Sequence, residues 1–211
     1  ERLVGSEMCI RDSNYYNGKE KYAASGNAVT NDYVRGMVEE YVMGLHYTDE
    51  AVKNFIEKID SINKPITFVF YGDHLPGIYW DTNNNNILHQ TDYFIYSNKY
   101  ARRHLGRRIY KQYDLVAPTD FMSLVQKQTL TKTTPYSALL EKVLDELPVI
   151  TTKAAAGSKE ESDAAMINDN GELIKYDDLS SSQKELYNDY KLVQYDMAAG
   201  NNYLENMNFT R

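Results

Sequence analysis

Apolar residues recur at three- and four-residue spacing from Asn31 to Ile62. Val34, Met37, Tyr41, Leu45, Val52, Phe55, Ile59 and Ile62 carry the pattern, with a two-turn step between Leu45 and Val52 that passes Thr48. The spacing predicts one long amphipathic helix. Asn31 or Asp32 is placed to cap its start, and Pro65 falls just beyond its end, where helices stop. The pattern then changes. Ile66 to Tyr71 (ITFVFY) is a short run of β-formers, which after a helix and a proline predicts a buried strand of a parallel sheet. Gly72 breaks the run. Asp73 to Gln90 is polar, holds Asn83 to Asn86, and reads as a loop. Thr91 to Ser97 (TDYFIYS) predicts the next strand.

Arg102 to Arg108 is a basic stretch on a surface loop or short helix, read as a solvated face. Thr119 to Thr129 predicts a helix with Pro118 near its start. Thr134-Pro135 opens another that runs through Leu147. Threonine accepts a backbone N–H at the cap, and proline at the first position removes a donor that has no partner there. Pro148 closes it. Residues Thr151 to Asp163 are small and polar and read as a linker or mobile loop. Ala165 to Tyr176 contains Asn170-Gly171, a strong hairpin signal. Ser180 to Ala199 predicts a final helix with Leu186, Tyr190, Val193 and Met197 on one face and Gly200 as its stop. No internal repeat is visible. The expected organisation is a main segment over 14–150, a linker over 151–165, and a hairpin plus helix over 166–211.

Composition narrows the function classes. The chain has 211 residues, 42% hydrophobic and 25% charged, enough apolar material for a core. Its net charge of -7 argues against nucleic acid and leaves no basic patch for anionic lipid. No run of about 18 apolar residues is present to span a bilayer. Cys9 is the one cysteine, so an internal disulfide and a cysteine-held zinc are excluded. Residues 1–13 (ERLVGSEMCIRDS) lack a signal-peptide layout and resemble translated sequencing-adapter text, a non-native segment set aside from fold reasoning. On that reading the native protein continues upstream.

The sharpest chemical feature is Phe70-Tyr71-Gly72-Asp73-His74-Leu75-Pro76. In open α/β sheets, sites form beyond the carboxyl ends of strands. Asp73 offers a hard anionic oxygen and His74 an imidazole nitrogen, a pair suited to a divalent ion. Consecutive strand residues face opposite ways, so both can reach one ion only if the chain leaves strand geometry, which Gly72 permits. Two donors fall short of the three protein ligands that catalytic sites of the zinc type take. On spacing alone, a turn aspartate beside a half-exposed histidine is the simpler reading.

Longer stretches add to this. YVMGLHYTDEAVKNFIEKIDSINKPITFVFYGDHLPGIY (Tyr41 to Tyr79), TDYFIYSN (Thr91 to Asn98), VAPTDF (Val116 to Phe121), Pro135 to Leu140 and YKLVQYDMAAGNNYL (Tyr190 to Leu204) together resemble the lipoteichoic acid synthase and sulfatase-like phosphoglycerol transferases of the alkaline phosphatase superfamily. The resemblance covers nearly all of residues 14 to 211. It implies an α/β class: the C-terminal part of an alkaline-phosphatase-like α/β/α sandwich, incomplete, with a small hairpin-plus-helix region at its end. It implies that Asp73 and His74 are two ligands of a divalent ion, Mn²⁺ first, with Mg²⁺ or Zn²⁺ as alternatives. The remaining ligands, a glutamate and the nucleophilic threonine, are expected upstream of this chain, so no catalytic nucleophile is assigned within it and the fragment alone is expected to be inactive. The partners implied are phosphatidylglycerol and a glycerophosphate polymer. The implied location is the outer face of a Gram-positive cell membrane, reached through an N-terminal anchor absent here. His89 and Trp80 are weak candidates for substrate contact. His46 and Asp49 read as structural groups that hold the long helix by hydrogen bonds or capping. A sulfatase or other phosphatase-like hydrolase is the nearest rival. A phosphoethanolamine transferase fits less well, because Leu75-Pro76-Gly77 follows the Asp-His. A non-catalytic envelope-binding module is the alternative of a different class.

Overall fold

The computed structural model describes residues 22–27, 29–73, 77–78, 88–104, 113–156 and 164–210. The chain divides into two compact units. One comprises Glu1–Ile66, Asp73–Asn83 and Asn98–Tyr100, and the other Thr67–Gly72, Asn84–Ser97 and Ala101–Arg211. Among the described residues no helix is long and apolar enough to cross a membrane.

The first unit is built on α1, Asp32–Asp60, which spans 29 residues. Asn31 caps it: its side-chain oxygen accepts the Val34 N–H at 3.0 Å. The expected apolar face is only partly the buried one. Ile59 is buried, but Leu45 and Phe55 are exposed, and the buried seam passes instead through Glu40 and Met43. At the far end Asn98 is fully buried. Its Nδ2 donates to the Ile59 carbonyl (2.9 Å) and the Lys64 carbonyl (2.9 Å), and its Oδ1 accepts the Ile66 N–H (3.2 Å). Asp60 accepts the Lys99 backbone N–H at 2.9 Å and lies 3.5 Å from its ammonium. One amide thus fastens the helix end to the two residues that border the strands.

The second unit holds two antiparallel sheets. β1, Thr67–Tyr71, pairs with β2, Tyr93–Ser97, with Thr67 opposite Ser97 and Tyr71 opposite Tyr93. This corrects the reading of ITFVFY as a buried strand of a parallel sheet. The partner seen is antiparallel, and Phe70 and Tyr71 are exposed. A continuous apolar run does not distinguish full burial from an aromatic-rich strand whose rings pack across the ladder. Here Phe70 stacks on Phe94 at 5.2 Å, and Phe68 meets Phe94 edge-on at 5.7 Å. A short helix α2, Lys99–His104, contains the start of the basic stretch; Arg102 donates to the Ser97 carbonyl at 2.6 Å and lies over the Tyr96 ring. Residues 105–108 of that stretch lie outside the described residues.

A 3-10 turn at Pro118–Asp120 leads into α3, Phe121–Thr129, as the proline placement predicts. Next comes α4, Pro135–Glu146. Thr134 caps it, accepting the Ser137 N–H at 3.1 Å while the Ser137 hydroxyl accepts the Thr134 N–H at 2.7 Å. β3, Val149–Thr152, then pairs with β4, Ala164–Ile167, and β4 with β5, Leu173–Ile174. The Asn170-Gly171 turn joins the last two, with Gly171 at φ 77, a left-handed value that suits glycine. The linker expected over 151–165 is therefore corrected in part. Thr151 and Thr152 are strand, Lys153–Ala156 form a helical turn (α5), and Ala164 and Ala165 open β4. Two threonines at the end of a β-branched run favour strand over coil. The last helix is α6, Ser181–Ala198, capped by Ser180. Val143, Leu147 and Leu186 form the core where α4 meets α6, joined by Leu139, Ile150 and Tyr190. The hairpin-plus-helix end thus packs into the same unit as α4 and β3.

Candidate functional site

Tyr71 is the last residue of β1 and faces Tyr93, the first of β2. Between them the chain leaves the ladder through Gly72. A methyl group there would sit 2.9 Å from Thr91 Oγ1 and 3.1 Å from its methyl. Glycine is needed because the backbone passes this close to a β-branched side chain. The sequence argument valued Gly72 for its freedom to turn; the structure adds a steric reason.

Asp73, the next residue, is exposed. His74 and Trp80 lie outside the described residues. His89 is exposed. It lines a cleft of about 130 Å³ together with Tyr71, Gly72, Thr91, Tyr93 and Phe121. The Phe121 ring sits 4.8 Å from Tyr71 and 5.3 Å from Tyr93, so three aromatic rings share one wall. His89, read from the sequence as a weak candidate for substrate contact, lines a cleft at the exit of β1.

His46 lies half-buried on α1, 3.5 Å from Glu50 and 6.1 Å from the Tyr22 ring, in keeping with a structural role. Asp49 is exposed in the interior of α1, where no cap forms, so the capping role read for it does not hold.

The loop that carries Phe121 is braced by a residue the sequence did not single out. Asp120 accepts the Ala117 N–H at 2.7 Å. Burial pushes its carboxyl above the ordinary 3.8, while that backbone hydrogen bond pulls the other way. A folded-state pKa raised above the unfolded value means that the folded state holds the proton more tightly. The associated stability is present below the unfolded pKa and is lost as pH rises through the folded value. Asp120→Asn keeps an acceptor for Ala117 and removes the buried charge. The variant should gain stability relative to the parent as pH rises above the ordinary carboxylate range, read by urea unfolding at each pH. A difference that stays flat or reverses with pH would place the carboxylate among stabilising charges instead.

A second cavity, about 370 Å³, lies between α4, β3 and the Tyr176–Asp178 turn. Two of its carboxylates have structural work. Asp145 accepts from Tyr113 and, at 2.9 Å, from Lys127, and the Lys175 N–H reaches Asp178 at 3.3 Å. The hydrogen bond to Asp145 and burial both raise the Tyr113 hydroxyl pKa, with burial the larger cause.

Among the described residues no three His, Cys, Asp or Glu side chains gather where they could share an ion. Asp73 fits such a role by donor chemistry, as an exposed carboxylate just past a strand end. It supplies one donor of a set, not a complete shell.

A sulfatase family model matches residues 11–125, more than half of the chain, and the chain belongs to that family. A solved structure, Streptococcus pyogenes phosphoglycerol transferase GacH in complex with sn-glycerol-1-phosphate, is similar at 32% identity with a TM-score of 0.62. The similarity covers 88% of this chain and 41% of that one, so this chain spans less than half of that protein's length. A comparison with curated protein sequences finds no match.

Proposed function

We propose that this chain forms part of a metal-dependent phosphoglycerol transferase that acts on phosphatidylglycerol and extends a glycerophosphate polymer of the cell envelope, as in lipoteichoic acid synthesis. The observation that carries the reading is the 32% identity with a phosphoglycerol transferase over 88% of this chain, aligned on a fold whose first strand delivers Gly72 and Asp73. That relative was solved with sn-glycerol-1-phosphate bound, which supports a glycerophosphate partner here.

In this proposal Asp73 and His74 hold a divalent ion, Mn²⁺ by preference. When bound, the ion offsets phosphate charge and raises the acidity of an attacking hydroxyl. Asp73 contributes a full negative charge and a hard oxygen. His74 contributes a neutral nitrogen and needs an acceptor for its second ring N–H to hold its tautomer. Gly72 lets the backbone pass close to Thr91 at the end of β1, directly before Asp73 in the chain. The nucleophile, a threonine by family resemblance, is assigned to the part of the enzyme that this chain does not span, so the proposal places turnover in the full-length protein, anchored at the outer face of a membrane. This chain alone is expected to give none.

The family match bears the description sulfatase, which supports hydrolysis of a sulfate ester as a second reading. One assay separates the two. Full-length protein is given fluorescent phosphatidylglycerol and, separately, an aryl sulfate ester. Release of diacylglycerol with no sulfate release is the expected result; the reverse would establish the hydrolase reading and end the transferase one.

A further inference from the structure

The cleft beside Gly72 has a composition that the proposed metal chemistry does not use. One wall is aromatic: Tyr71, Tyr93 and Phe121, with Phe121 within 4.8 Å and 5.3 Å of the other two rings. The lining also includes five polar side chains, His89, Gln90, Thr91, Asp114 and Thr151. His89, Gln90 and Thr91 are exposed. The lining is fixed by the fold on both sides. Tyr71 and Tyr93 are cross-strand partners, and Asp120 holds the turn that precedes Phe121. Aromatic faces pack against C–H groups, while amide, hydroxyl and imidazole groups exchange hydrogen bonds with hydroxyls. A molecule that offers both on one small frame is a polyol. Orthophosphate would leave the rings without a partner, and a lipid tail would leave the polar groups without one.

Resting on the transferase reading, we propose that this cleft binds the polyol unit of the acceptor, with His89 as a positioning residue that hydrogen-bonds one of its hydroxyls. The cleft of about 130 Å³ suits one three-carbon polyol or the edge of one sugar ring. Both sources share the same chemistry, vicinal hydroxyls over a C–H face. Gly72 lines the cleft, and Asp73, the residue assigned to the ion, is its neighbour in the chain.

The test uses the full-length protein, His89→Ala and His89→Gln, each assayed for release of diacylglycerol to water and for transfer to an acceptor. One arm supplies a glycerol-terminated acceptor and the other a sugar-terminated one. His89→Ala should lower the ratio of transfer to hydrolysis about tenfold in the arm whose polyol the cleft takes, by raising the acceptor KM. His89→Gln, which retains a donor and an acceptor, should recover most of it. A ratio unchanged in both arms overturns the proposal, as does equal loss of hydrolysis and transfer, which would place His89 at the donor phosphate. Titration with glycerol and with sn-glycerol-1-phosphate, read by the His89 imidazole NMR signals, needs no turnover. Shifts in a protein with no transferase activity would retain the polyol site and dismiss the transferase reading. Unshifted signals at saturating probe would dismiss the site.

Discussion

Alanine in place of Asp73 is expected to lower phosphoglycerol transfer by the full-length protein about a hundred- to a thousandfold. A ligand carboxylate contributes charge and position to the ion, and loss of several kcal/mol of transition-state stabilisation corresponds to a factor of ten for about every 1.4 kcal/mol. Asp73 is exposed, so its removal leaves little buried surface uncovered and should shift the thermal transition by no more than the few degrees that one exposed interaction carries. The pairing of lost activity with retained stability separates a ligand from a turn residue. Asp73→Asn keeps the shape and one oxygen but not the charge, and should fall between the two. The check is diacylglycerol release at saturating Mn²⁺ for all three proteins. A loss of less than about threefold for Asp73→Ala would leave the aspartate with turn chemistry alone.

The largest stability effect is expected at Asn98. Its side chain is fully buried and bonded to Ile59, Ile62 and Lys64 carbonyls and to the Ile66 N–H. Alanine would strand these backbone groups away from water, at about 1–3 kcal/mol for each one left without a partner. Allowing for relaxation, the net cost should be about 3–5 kcal/mol, or a drop of roughly 6–20 °C in Tm for a chain of this size. Asn98→Asp should be at least as damaging, because it removes both donors and turns a negative charge toward three carbonyls. Urea unfolding of the three proteins measures this. A cost below about 1 kcal/mol for Asn98→Ala would mean that water replaces the amide freely.

The elements were legible where local rules dominate. Asn31, Thr134-Pro135 and Asn170-Gly171 are capping and turn chemistry, which depends on neighbours in sequence, and the structure follows them. Elements set by distant partners were harder. ITFVFY reads alike whether its flank is buried or its rings pack across an antiparallel ladder, and only β2 decides between them. The polar Thr151-Thr152 pair reads as linker until β4 is seen beside it. The buried seam of α1 was misplaced for the same reason: Glu40 and Met43 are covered by tertiary contacts that a periodicity count does not see.

For the site, Gly72 and Asp73 could be picked out because a glycine after an apolar run is a visible break. Asn98 and Asp120 were missed as individual residues although the stretches that hold them, TDYFIYSN and VAPTDF, were noticed. Their roles depend on atoms more than thirty residues away in the first case, and on a half-buried hydrogen bond back to Ala117 in the second. The aromatic wall of the cleft joins Tyr71, Tyr93 and Phe121 from three separate elements, so no spacing in the sequence could announce it.

The most direct measurement strips the full-length protein with EDTA and follows diacylglycerol release from phosphatidylglycerol as Mn²⁺ is returned, for the parent and for Asp73→Ala. The parent should be inactive when stripped and regain turnover with Mn²⁺, while the variant stays inactive across the same titration. Undiminished turnover by the stripped parent, or recovery of Asp73→Ala at the same Mn²⁺ concentrations, would contradict the assignment of an ion to the carboxylate at the end of β1.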